Sequence, residues 1–176
     1  MLTIHVERTS GDSEWTFGRL WIDGETTFRC NTTELPSLEH SGLGAFFCAL
    51  PLGKHRLRIT MDGLNYVPTV DINGKYSSAV IRDCSLDELT KLGLGSIRLW
   101  TMRPMSKSLS EVLTEYLKRQ QYEGRMRFPK PRRGEFFLEI TEAEDFRFIK
   151  KEKPKLETSE DDFDFCDVDY DFDNDI

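Results

Sequence analysis

Histidine is scarce in this chain. There are three in 176 residues, His5, His40 and His55, and they share no metal-ligand spacing. The four cysteines, Cys30, Cys48, Cys84 and Cys166, include no Cys-x-x-Cys pair. Neither a zinc site nor a disulfide framework is expected, and no metal or cofactor is implied. No apolar run is long enough to span a bilayer, so no membrane association is expected. Met1 leads straight into Leu2-Thr3-Ile4-His5-Val6-Glu7-Arg8 without the apolar core of a signal peptide, so secretion by that route is not expected and a reducing cytosol fits. Gly42 and Gly44 are not followed by Gly-Lys-Ser/Thr, which excludes a phosphate loop.

A different absence divides the chain. From Glu157 to Ile176 there are ten acids and no base, although the whole sequence carries 24 bases against 31 acids and a net charge of −7. The first 156 residues therefore hold 21 acids and all 24 bases, a net of +3, so the overall charge describes neither part. An apolar content of 38% with 11% aromatics is enough for one core.

Residues 1–102 read as short strands. Leu2-Thr3-Ile4-His5-Val6 alternates, and Leu20-Trp21-Ile22 enters an Asp23-Gly24 turn with the return strand through Thr26-Thr27-Phe28. Leu50-Pro51-Leu52-Gly53 reads as a turn, and His55-Arg56-Leu57-Arg58-Ile59 puts Leu57 and Ile59 on one face. Val70-Asp71-Ile72 precedes Asn73-Gly74, the strongest short hairpin signal present. Ala79-Val80-Ile81 is a buried strand, and Ser85 with Glu88 forms a capping box for a short helix carrying Leu86, Leu89 and Leu92, ended by Gly93. Ile97-Arg98-Leu99-Trp100 is a further strand. The fold class expected is mainly β, a small barrel or sandwich of short strands with one or two short helices and an extended acidic tail.

Residues 103–156 form a second piece. Ser108 and Glu111 repeat the capping box, and Leu109, Val112, Leu113, Tyr116 and Leu117 follow helical spacing to a stop at Gly124. Arg125, Arg127, Lys130, Arg132 and Arg133 then surround Phe128 with no acid among them. Such a run can neutralise phosphates and stack a base, or meet the chain's own acidic tail, or be a solvated loop. Residues 135–140 and 146–149 read as two more strands. In the tail, 157–176, Asp167, Asp169, Asp171, Asp173 and Asp175 alternate with Val168, Tyr170, Phe172 and Asn174 before Ile176. A period of two puts carboxylates on one side of an extended segment and apolar groups on the other. Such a ribbon can add to a sheet edge or groove of a partner, or serve only as a solubilising tail.

Three stretches, Thr16-Phe17-Gly18-Arg19-Leu20-Trp21-Ile22-Asp23-Gly24-Glu25, Glu34-Leu35-Pro36 and Ala49-Leu50-Pro51-Leu52-Gly53-Lys54-His55, together with Gly95-Ser96-Ile97-Arg98-Leu99, resemble an uncharacterised, phage-rich domain family distantly similar to L,D-transpeptidase domains. The resemblance covers roughly the first hundred residues. It implies a β domain whose enzymatic relatives attack with a cysteine activated by histidine. Here Arg82 stands where that pattern has histidine and Ser96 where it has cysteine. An arginine cannot act as a base near neutral pH, and a serine without a base is a poor nucleophile. Cys84, outside the pattern, is either a displaced nucleophile or a small buried hydrophobe. No catalytic residue is therefore expected.

The reading that follows is a non-enzymatic phage structural or assembly protein, in the virion or host cytoplasm, that uses a degenerate transpeptidase-like scaffold. Its partners would be other protein subunits, held through Asp167, Val168, Asp169, Tyr170, Asp171, Phe172 and Ile176. Two alternatives stand beside it. One is a cell-wall enzyme acting through Cys84 or Ser96. The other is a single-stranded nucleic-acid-associated protein using residues 125–133, with the tail as regulator.

Overall fold

A computed structural model describes residues 2–37, 39, 48–62, 65–72, 75–92, 95–126 and 136–150. The chain runs β1 (Leu2–Gly11), β2 (Thr16–Ile22), β3 (Glu25–Glu34), β4 (Gly53–Asp62), β5 (Asn65–Ile72), β6 (Lys75–Arg82), α1 (Leu86–Leu92), β7 (Ile97–Trp100), α2 (Leu109–Met126) and β8 (Phe136–Phe148). The strands close into a barrel in the order β1-β2-β3-β7-β6-β5-β4-β8. The expected β-rich class is thus present, with the barrel rather than the sandwich as its form.

Strict alternation makes the barrel wall. Ile4 and Val6 of β1, Leu20 and Ile22 of β2, Ile97 and Leu99 of β7, and Leu138 and Ile140 of β8 are at most 1% exposed, while the residues between them face outward. At about 25 cal/mol per Å² of apolar surface, each such side chain contributes about 1.5–3 kcal/mol. The hairpin at Asp23-Gly24 forms as its residues demand, with Gly24 at φ 74° where a Cβ would be strained. β5 and β6 pair antiparallel with Ile72 opposite Lys75, on either side of the Asn73-Gly74 signal, which itself lies outside the described residues.

Two pairings are parallel, β1 with β8 and β6 with β7. The first joins the two ends of the described chain. The segment 103–156, read from sequence as an extension, therefore supplies a wall strand: β8 lies between β1 and β4. The two strands expected at 135–140 and 146–149 are one. β8 pairs with both β1 and β4 as far as Ile140, and beyond that only with β1, bulging between Glu142 and Arg147. With one neighbour instead of two, that half has no need of apolar alternation, which is why its sequence reads as a break.

α2 lays Leu109, Leu113 and Leu117 into the core cluster, with Val112 and Tyr116 packed beside them, and it contacts β5, β6 and β7. It runs past Gly124 to Met126, whereas the sequence placed its end at that glycine. A glycine inside a helix costs about 1 kcal/mol, which packing of the leucine face outweighs. Both capping boxes form. Glu88 N–H donates to Ser85 Oγ at 3.2 Å and Ser85 N–H to Glu88 Oε2 at 2.7 Å. Glu111 N–H donates to Ser108 Oγ at 3.2 Å and Ser108 N–H to Glu111 Oε2 at 3.2 Å. Ser108→Ala should lower the unfolding free energy by about 1 kcal/mol in urea titrations, because it removes an acceptor at the helix that fills the core. Among the described residues no helix is long and apolar enough to cross a membrane.

Candidate functional site

The parallel β6–β7 seam brings together the residues that the resemblance singles out. Ile81 lies opposite Ile97 and Arg82 opposite Arg98. Ser96, 0% exposed, accepts a hydrogen bond on Oγ from Val80 N–H at 3.3 Å, across the seam. Gly95, at φ 73°, packs against Leu50 and Ala79 and donates its N–H to Cys48 O at 3.0 Å. Arg98 Nε donates to Cys84 O at 2.7 Å. Asp83 Oδ2 accepts from Ser110 N–H at 2.7 Å and Ser110 Oγ at 2.9 Å, tying the strap after β6 to the start of α2. Arg82, Cys84 and Ser96 thus lie along one seam, each tied to a different neighbour, and the contacts around them hold strands and helix to one another.

Their chemistry agrees with that placement. Desolvation pushes the Cys84 thiol above its ordinary pKa, the Glu88 carboxylate adds to the rise, and Arg82 and Arg98 only partly oppose it. A thiol held protonated is a weak nucleophile. Neither described histidine bonds to Cys84 or Ser96. His5 stacks on Trp21 with ring centroids 5.2 Å apart, its Nε2 2.8 Å from Asp23 Oδ1 and its Nδ1 3.2 Å from Glu139 Oε2. His55 Nε2 lies 2.8 Å from Pro51 O. Among the described residues no three His, Cys, Asp or Glu side chains stand together as a metal cage.

No family model, curated protein or solved structure matches this chain. Its site has to be read from its own geometry.

That geometry offers a concavity which sequence reading did not single out. It lies on the outer face of β1, β2 and β3, has a volume of about 600 Å³, and is lined by Arg19, Trp21, Arg29 and Asn31 together with Glu7, Thr101 and Arg103. Register explains the cluster: Arg19 lies opposite both Glu7 and Asn31, and Trp21 opposite Arg29. Arg19, Arg29 and Arg103 are exposed, and none forms an ion pair among the described residues. The signal was present in the sequence. Once the turn at Asp23-Gly24 is accepted, positions 19, 21, 29 and 31 share the outward face. Such a surface presents guanidinium donors that match the geometry of a carboxylate or phosphate.

Inside the barrel wall sits a second unanticipated pair. Arg8 and Glu34 are 2% and 1% exposed at the side chain. Arg8 Nε and Nη2 donate to the two Glu34 carboxylate oxygens at 3.1 and 2.7 Å, and Nη2 also donates to Leu50 O at 2.6 Å. Desolvation works to lower the Arg8 pKa, but the charge and hydrogen bonds of Glu34 outweigh it and hold the guanidinium above its ordinary value.

The remaining sequence expectations, Arg127, Phe128, Lys130, Arg132 and Arg133 in the basic run and Asp167, Val168, Asp169, Tyr170, Asp171, Phe172 and Ile176 in the tail, lie outside the described residues, as does the side chain of Arg125. His40 and Cys166 lie outside them too.

Cys30 faces the core at 7% exposure, and burial, followed by the charge of Asp83, pushes its thiol up to about 12 from 9.0. In the unfolded chain the thiol ionises from about pH 9, whereas in the folded chain it stays neutral. Its contribution to stability is therefore complete below pH 9 and falls as pH rises toward 12. Between pH 8 and 10 the wild-type chain should lose about 1 kcal/mol more unfolding free energy than Cys30→Ala, read from paired urea titrations. Equal losses would show that the thiol ionises freely in the fold.

Proposed function

We propose that this chain is a non-enzymatic phage structural or assembly protein, a barrel scaffold that joins neighbouring protein subunits through its acidic, aromatic tail. The observation that carries the non-catalytic part is the use made of the β6–β7 seam. Ser96 is sealed in the wall with its oxygen committed to Val80 N–H, and the Cys84 backbone is committed to Arg98. The phage setting rests on the resemblance, and the tail's role rests on its two-sided pattern.

Deleting residues 157–176 tests it. Residues 2–148 contain every wall strand and the core cluster found among the described residues, so the shortened chain should fold and yet fail to co-purify with the subunits that hold the full chain. A shortened chain that joins them as the full one does would refute the tail's role. Turnover of peptidoglycan stem peptides by the full chain, lost in Cys84→Ala, would instead establish the cell-wall enzyme.

A nucleic-acid reading has the arginine concavity in its favour. If three arginines each neutralise one phosphate of a single strand, log K should fall with log salt at a slope of about −2. Affinity independent of salt would dismiss it.

A further inference from the structure

The arginine concavity and the acidic tail belong to one molecule, and the described chain ends close to the concavity. Ile149 N–H donates to Gly11 O at 2.7 Å, where β8 and β1 finish side by side. Glu7, on the rim of the concavity, is four residues back along β1, about 13 Å at strand rise. The seven residue steps from Lys150 to Glu157 can extend about 23 Å. A second open concavity, lined by Thr9, Ser10, Arg147 and the carboxylates Glu144 and Asp145, shares Glu7 and Arg19 with the first, so the linker, which carries Lys151, Lys153 and Lys155, can pass the acids before the tail reaches the arginines.

Charge and spacing fit as well. Arg29 is the diagonal neighbour of Arg19 across the β2–β3 pair, a separation of roughly 7–8 Å between Cβ atoms. Aspartates two apart in an extended segment repeat every 6.6 to 6.8 Å, to order of magnitude the same step. The last twenty residues carry ten acids and no base, and the arginines have no ion-pair partner among the described residues. Tethering adds to this, because a short linker holds its end at an effective concentration in the millimolar range, so even weak pairs are populated.

We propose that residues 157–176 of the same chain dock in this concavity, with alternate aspartates on Arg19, Arg29 and Arg103. The period of two then turns Val168, Tyr170 and Phe172 away from the arginines, as a ridge for a neighbouring subunit. The proposal rests on the foregoing reading only in taking the tail as the binding element, and it does not need the phage setting.

The native Cys166 gives the test in the full chain. Cys30 and Cys48 are buried, so Cys84→Ser leaves Cys166 as the thiol to carry a nitroxide. In ¹⁵N-labelled protein at about 20 mM salt, the Trp21 indole resonance should lose at least about half its intensity relative to the reduced label. It should regain it at about 0.5 M salt, where screening is nearly complete. The loss should also vanish in Arg19→Ala/Arg29→Ala/Arg103→Ala, whose changes are at exposed positions and leave the remaining spectrum as a check on folding. No loss at Trp21, or a loss that persists in the triple variant, overturns the proposal. Loss that also appears when ¹⁴N spin-labelled and ¹⁵N unlabelled chains are mixed assigns the tail to another copy and overturns docking within the chain. An oligothymidine bound to these arginines while Trp21 is unaffected by the label gives the face to nucleic acid, with the same result. Broadening at Trp21 in a chain that joins no assembly would leave the docking standing and remove the assembly reading, so the two fail separately.

Discussion

Glu34→Ala should remove about 3–5 kcal/mol of unfolding free energy, the largest loss expected from removing a single charge among the described residues. The reason is what it leaves behind. Arg8 is 2% exposed, and without Glu34 its guanidinium keeps a charge with only Leu50 O as acceptor among the described residues. In a domain whose total stability is about 5–15 kcal/mol, that is about a fifth of the margin or more. The pair is also a tie: through it β1, β3 and the segment at Leu50 meet. The double variant Arg8→Met/Glu34→Leu separates the two contributions. Burying two apolar groups in place of a desolvated ion pair is often neutral or better, so most of the loss should return. Urea unfolding of the three proteins gives the answer. A Glu34→Ala loss under about 1 kcal/mol would mean that water or another group reaches Arg8.

What the sequence disclosed and what it hid follow one rule. Period-two alternation located β1, β2, β4 and β7, because their inward positions are aliphatic, and Ser-x-x-Glu located both helix starts. Arg8 and Glu34 obey the same alternation. Arg8 continues the inward positions of Ile4 and Val6, and Glu34 those of Phe28 and Cys30. They escaped notice because a charge at an inward position means nothing until its partner is found, and that partner lies 26 residues away. The arginine concavity was hidden in a similar way. Arg103 reaches it from beyond β7, and only the antiparallel pairing of Asn31 with Trp100 brings that end of the chain to β3. Closure of the barrel by β8 depends on a parallel pairing with β1, which leaves no turn in the sequence to read.

The seam and the concavity place the chemistry of this barrel on different faces. At β6–β7, where the resemblance puts a nucleophile and a base, polar groups are consumed in holding backbone together: Ser96 with Val80, Arg98 with Cys84, Asp83 with Ser110. On β1–β3 the arginines are left without ion partners among the described residues, in a hollow open to solvent.

Gly18→Ala is the second large effect, because there is no room for the methyl group. A Cβ on Gly18 would sit 2.5 Å from Glu7 O and 2.8 Å from Thr32 Oγ1. The first of these atoms is backbone in the neighbouring strand. It cannot swing aside as a side chain would, and moving it disturbs the β1–β2 pairing where Gly18 lies opposite Arg8. The expected loss is about 3 kcal/mol, the upper end for overpacking, read as a lower urea midpoint with an unchanged slope. Gly24→Ala makes the contrast. Nothing stands within 4 Å of a Cβ there, and only its φ of 74° resists the change, so its loss should be about 1–2 kcal/mol. The strain at Gly18 also passes directly to Arg8 and from there to Glu34. Combined with Glu34→Ala, Gly18→Ala should therefore cost less than the sum of the two, since each loosens the same guanidinium. Additive losses would show that β1 yields at Gly18 without moving its buried charge.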